Sequence, residues 1–270
     1  MLTQNQGMRI LIIANKVPYP PKDGGSIATL TLARNFVRLG HEVSILAMNT
    51  RKHYIPLSQL PQELTESIRF IGVDTPALIS PVAALKNLLF SKQSYIAERF
   101  YTQSFKKKLE QLLKAEKFDV IQLEGSYMGM YIKSIRAYSD AKVGMRAHNL
   151  EFEIWERTAR NSSPLKAFYI KNLAHRIKKL ELGQLNDFDA LIPITQRDAR
   201  LLESLGCKIP VHVTPTGIDV DSSRVDKSHL DFPSLFHIGA LDWPPNQEGL
   251  LWFFDKVWPK VLAQQADLKF

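Results

Sequence analysis

Residues 8–30 read MRILIIANKVPYPPKDGGSIATL, and the fold turns on them. An apolar, β-branched run ends in a loop that carries Pro18, Pro20 and Pro21, then Gly24-Gly25, and a helix follows. Strand, stiffened loop and helix in that order form the opening of a βα unit. The helix reads from Gly25 to Leu39, with Ile27, Leu30, Ala33 and Val37 on one side and Gly40 as a left-handed stop. Working outward, the same rhythm recurs. Further strands are expected at 42–48, 67–73, 118–124, 141–147, 189–195, 209–214 and 234–239. Alternating strands and helices predict an α/β fold, a Rossmann-like three-layer α/β/α domain around a mostly parallel sheet. Two longer helices show apolar stripes: Phe105, Leu109, Leu112 and Leu113 on one; Leu165, Phe168, Tyr169, Leu173, Ile177 and Leu180 on the other. Residues 1–214 are therefore read as the first domain. The segment 215–233, rich in Asp, Ser and Pro without periodicity, reads as a linker. Residues 234–270 read as the opening β-α-β unit of a second Rossmann-like domain, cut in mid-element.

The 270 residues carry a formal charge of +8 and a single cysteine, Cys207. One cysteine excludes an internal disulfide and disfavours a cysteine-built zinc site. No apolar run approaches the roughly 20 residues that span a bilayer, and the first residues lack a secretory pattern. The chain is placed in the cytoplasm on these grounds. Its positive balance asks for an acidic partner, and the lysines gather between Lys86 and Lys117. A nucleic-acid partner is not expected, because no reader motif accompanies the charge.

Open α/β sheets bind ligands beyond the carboxyl ends of their strands, so the polar residues there are the candidates. The glycine loop is neither G-x-G-x-x-G nor a P-loop. Its Gly24-Gly25 pair nonetheless leaves backbone amides unobstructed at a helix N-terminus, where a phosphate is favoured. Glu124 ends one strand. Arg146, His148 and Asn149 end another, and an imidazole at that position can exchange hydrogen bonds with a ligand hydroxyl. Thr195 is placed to cap the helix that begins QRDAR. His212 and His237 sit within expected strands and lack partners at metal-ligand spacing.

Six segments in order then resemble glycosyltransferase group 1, a family of retaining, nucleotide-sugar-dependent enzymes with the GT-B fold. They are MRILIIANKVPYPPKDGG, FDVIQLEGSYMGMY, MRAHNLEFEIWERTA, DALIPITQRDARLL, VHVTPTGID and FHIGALDWPPNQEGLLWFFDKVWP. The resemblance implies two Rossmann-like domains facing across a cleft, with acceptor on the first and nucleotide-diphosphate sugar on the second. It implies that the Gly24 and Gly25 amides approach the donor diphosphate. His148 corresponds to the histidine that contacts the donor sugar, Thr195 to a hydroxyl lining the cleft, and Thr216-Gly217 to an Asn-Gly before the linker. Gly239 corresponds to the start of a donor-domain loop. Glu124, Arg146 and Asn149 complete the expected substrate-binding set, and no metal or other cofactor is implied.

The departures are specific. Thr216 stands where Asn is usual, and Ala240 where many members carry an arginine for the diphosphate. The family's paired glutamates have no counterpart, since the equally spaced Glu116 and Glu124 fall within the first domain. The expected activity is hexosyl transfer to a glycan or lipid-linked acceptor in polysaccharide or glycoconjugate synthesis, with this chain inactive alone. The basic helices at 85–117 are expected to face an anionic membrane surface, on its inner side. A nucleotide-sugar epimerase of the same fold and a non-enzymatic sugar-binding α/β lobe remain as alternatives.

Overall fold

A computed structural model of the chain describes residues 7–217, 231–241 and 244–270. Its frame is a six-stranded sheet in the order β3-β2-β1-β4-β5-β6, with every pairing parallel. The strands are β1 (Arg9–Ala14), β2 (Glu42–Thr50), β3 (Ile68–Thr75), β4 (Val120–Glu124), β5 (Lys142–Ala147) and β6 (Ala190–Pro193). β1, β2 and β4 are buried almost throughout, as expected of parallel strands covered on both faces.

Two helices cover one face, α1 (Gly24–Arg38) and α2 (Gln62–Ser67), packing Leu30, Ala33 and Leu64 on Ile10, Ile12, Val43 and Ile45. The opposite face carries α5 (Gln103–Ala115), α6 (Ile132–Tyr138), α8 (Pro164–Gly183) and α9 (Gln196–Ser204), whose Phe105, Ile135, Ile177 and Leu202 meet Leu11, Ile13, Ile121 and Val143. Between β3 and α5 lie α3 (Pro81–Phe90) and α4 (Tyr95–Glu98), and α7 (Glu151–Arg160) leads from β5 into α8. The second unit holds α10 (Pro244–Trp252), a π turn at Phe253–Val257 and α11 (Trp258–Leu262). The expected three-layer α/β/α class is what the chain adopts.

Local signals account for the element ends. Asp23 caps α1 by accepting the Ser26 amide at 3.0 Å, and Gly40 stops the helix at φ 86°. Ser80, Thr102 and Thr195 cap α3, α5 and α9 in the same way.

Three expectations are corrected. The run 209–214 forms no continuous strand: it follows β6 through one bridge, Leu191 to Val211, flanked by the His212 and Thr214 amides donating to Leu191 and Pro193 carbonyls. Pro193 and Pro210 each lack the N–H a ladder needs, which explains the interruption. The run 234–239 likewise makes a single bridge, Ser234 to Lys269. Leu165 and Phe168, read as part of the α8 stripe, are 88% and 73% exposed. Of the expected linker, 218–230 lies outside the described residues.

Candidate functional site

The strand order reverses between β1 and β4, where the chain leaves β1 toward β2 on one side and β4 continues to β5 on the other. Such a switch point opens a crevice at the strands' carboxyl ends. Ala14 and Glu124 are register partners there, and a cavity of about 560 Å³ lies above them. The β1–α1 loop, the ends of β4 and β5 and three residues of the second unit, Gly239, Ala240 and Asn246, line it.

On the loop side, Asp23 occupies the end of α1. Its Oδ2 accepts from Lys16 Nζ at 2.5 Å and from the Ser26 hydroxyl at 3.3 Å. Burial pushes the Asp23 carboxyl up, but Lys16 and the Ser26 amide outweigh it and hold the group below its ordinary range. A β carbon added to Gly24 would meet nothing within 4 Å, so the fold itself does not require glycine there.

Facing this loop, Glu124 is buried at the end of β4. Thr29 Oγ1 donates to its Oε2 at 3.0 Å, Gln122 Nε2 donates to its Oε1, and His148 Nε2 lies 2.6 Å from Oε2. Arg146 stands behind, its Nη1 3.9 Å from Oε2. Burial alone would raise the Glu124 carboxyl; His148, Arg146 and Gln122 together bring it below the ordinary value. An ionised carboxylate only accepts, so Nε2 of His148 carries the proton and Nδ1 is turned away from Glu124. Gly125, at φ 89°, makes the turn that β4 needs to clear this cluster, a conformation that disfavours any side chain.

A second polar cluster fixes the turn that bears His148. Glu181 of α8 accepts the amides of Glu151 and Phe152 at 3.2 and 3.0 Å, which satisfies the start of α7. Burial lifts its carboxyl to about 7, although the Phe152 amide pulls the other way. Tyr127 donates its hydroxyl to Glu151 Oε2 at 2.9 Å. Burial raises both the Tyr127 phenol and the Glu151 carboxyl.

The cavity thus brings together Gly24, Gly25, Glu124, His148, Asn149 and Gly239 of the sequence candidates. Arg146 lies inside the sheet at 2% exposure rather than on the cavity wall, and its Nε and Nη1 have no hydrogen-bond partner among the described residues. Thr195 caps α9 by accepting the Asp198 amide at 3.0 Å, and it, Thr216 and Gly217 are exposed and do not line the cavity. Lys16, Asp23, Thr29, Tyr127 and Glu151 were not singled out in the sequence. Asp23, three residues before Ser26 at a helix start, carries a legible N-cap signal; Thr29 pairs with a residue 95 positions away and carries none. Among the described residues no group of three His, Cys, Asp or Glu side chains is disposed to hold a metal ion.

The sequence profile of Glycosyltransferase Family 4 matches residues 22–222. An uncharacterized 44.6 kDa protein in the cps region of Klebsiella pneumoniae is 20% identical over 264 residues, 97% of this chain and 63% of that protein. Anabaena HepE in complex with UDP-glucose superposes with a TM-score of 0.50 at 12% identity, over 82% of this chain and 47% of that one. Sucrose-phosphate synthase from Thermosynechococcus elongatus gives 0.52 at 14%, over 79% and 49%. The chain therefore spans less than two thirds of the length of each of these relatives.

Proposed function

The chain belongs to Glycosyltransferase Family 4, and from that premise and the crevice between β1 and β4 we propose that it is the acceptor-side part of an enzyme that moves a hexosyl group from a nucleotide-diphosphate sugar to a glycan or lipid-linked acceptor. The observation that carries the reading is the meeting of the Gly24-Gly25 turn and the His148–Glu124 pair across one cavity. Sugar transfer needs charge stabilisation on a departing diphosphate and a hydroxyl held in line with the anomeric carbon. The Gly24 and Gly25 amides point from the start of α1, and Lys16 offsets the negative charge of the Asp23 cap beside them. An incoming diphosphate competes with Asp23 for that lysine. His148 presents Nδ1 to the sugar, and Glu124, with its oxygens already engaged by Thr29 and Gln122, positions the ring rather than touching the donor.

The finer parts of the proposal are retention of configuration, independence of metal, a division into domains at 214 and 234, a role in cell-surface polysaccharide synthesis, and a cytoplasmic site of action at the inner face of an anionic membrane. The basic segment 85–117 supports the last of these in a particular way. The apolar stripe of α5 is buried in the core, so α3 is the helix of that segment with an apolar side outward. An epimerase of the same fold has no use for an acceptor surface, and a second hollow beside Lys16 favours transfer.

UDP-glucose titration tests the donor site directly. The wild-type chain binds it, and Gly24→Val abolishes binding while the melting temperature stays put, because residue 24 lines the cavity and its new β carbon meets no protein atom within 4 Å. Equal binding by the variant overturns the reading. The wall from the second unit consists of Gly239, Ala240 and Asn246 among the described residues, so these 270 residues alone are expected to bind donor without completing transfer.

A further inference from the structure

A second cavity, of about 490 Å³, opens beside the first and shares Asn15, Lys16, Lys52 and His53 with it. Arg51 and Arg99 line it beside Lys16, which is paired with Asp23, and no carboxylate among the described residues lines it. Arg99 is half buried, spends its Nε and Nη2 on the Ala77 carbonyl at 3.0 and 2.5 Å, and packs over Tyr95 and Phe100. It has no carboxylate partner among the described residues. Burial lowers its pKa, the mark of a cation whose charge is incompletely compensated. The loop it grips is strained: Ala77 sits at φ 45°, where an L side chain is disfavoured.

That strained loop delivers Leu78 and Ile79 to the cavity's outer rim, with Ile79 76% exposed. The apolar ledge continues along α3, where Val82, Leu85, Leu89 and Phe90 all face outward. The one buried residue of α3 is polar, while Lys86 joins the apolar residues on the exposed side. Asn87 is buried, its carbonyl and Oδ1 accept from Arg176 Nη1 at 3.2 Å, and its Nδ2 donates to Glu98. A helix so anchored exposes its apolar side by construction, against the pattern of a water-facing helix. Cations at one end and hydrocarbon at the other, in one continuous surface, complement an anionic amphiphile.

Resting on the reading of the first cavity as the donor site, we propose that the second cavity seats the phosphate of a lipid-linked acceptor, whose hydrocarbon runs out over Leu78, Ile79 and the outer side of α3. The shared wall at Asn15 and Lys16 then sets the acceptor's sugar-bearing end against the donor.

Calorimetric titration with farnesyl diphosphate, inorganic diphosphate and farnesol tests the two halves separately. Farnesyl diphosphate is expected to bind at least about tenfold more tightly than either half. Arg51→Ser, at an exposed position, weakens farnesyl diphosphate and inorganic diphosphate by about tenfold, and Ile79→Ser weakens farnesyl diphosphate alone by a similar factor. UDP, which draws on the shared Lys16, weakens farnesyl diphosphate without displacing it in full. Inorganic diphosphate binding as tightly as farnesyl diphosphate overturns the proposal, as does full displacement by UDP, absence of binding, or a dimer that Leu85→Ser dissolves. Binding of UDP without farnesyl diphosphate sinks this inference and leaves the donor site standing; farnesyl diphosphate without UDP does the reverse.

Discussion

Glu181 reaches from α8 to hold the first amides of α7, and its carboxyl titrates near 7 where a free glutamate titrates near 4.5. Between those values the folded chain keeps the proton and the unfolded chain has lost it. Stability is therefore fully present below about 4.5 and declines as pH rises toward 7, by up to about 3 kcal/mol. Glu124 has the opposite sign: its value is held down, so its contribution is present above the unfolded value and disappears as pH falls through the depressed one. Glu181→Gln keeps one acceptor for the two amides and removes the titration. The variant is expected to melt with a shallower profile than wild type between about pH 5 and pH 7, and to be less stable by about 1 kcal/mol at the acid end. A slope like the wild type's would assign the titration to Glu151, which burial also raises. Neither carboxylate's partner was legible from sequence, because the amides of 151 and 152 and the hydroxyl of Thr29 lie 29 to 95 residues away from the groups they bond.

At the scale of elements, Thr195 separates a cap from a ligand contact. Its hydroxyl already accepts the Asp198 amide at the start of α9, and the residue does not line the cavity. Thr195→Ala is expected to cost about 1 kcal/mol, a fall of a few degrees in Tm, with UDP-glucose affinity unchanged. Loss of affinity at unchanged Tm would return the residue to the ligand. Element existence was legible for the six paired strands, each a β-branched run bounded by turn residues, and for α5, whose Phe105, Leu109, Leu112 and Leu113 are all buried. Elsewhere the pattern marked a face without saying what covers it. Leu165 and Phe168 continue the α8 period into solvent, while the inward face of α1 takes in Ser26 and Thr29 where Ile27 was expected. The strand-like runs at 209–214 and 234–239 have the right composition but find one bridge each, since β propensity needs a partner edge with free N–H groups.

Over the whole molecule, burial is divided unequally. Among the described residues every buried one lies between Ile10 and Leu202, and none from 231 onward is buried. The second unit rests on contacts among Phe253, Phe254, Trp258 and Phe270 and on the single Ser234–Lys269 bridge. It meets the first at the cavity rim and through Asn161 Nδ2, which donates to Glu248 Oε2 at 3.0 Å. Few buried contacts mean that local opening there costs far less than opening the sheet. Amides of α10 and α11 are therefore expected to exchange with deuterium well before those of β1 and β4. A donor that touches both walls stabilises the closed arrangement by about 2.7 kcal/mol at a hundred times its Kd. With UDP-glucose at that level, exchange of amides at 244–252 is expected to slow by up to about a hundredfold, alongside those at 24–30 and 148–152. Protection confined to the first unit would mean that Gly239 and Asn246 border the cavity without holding what fills it.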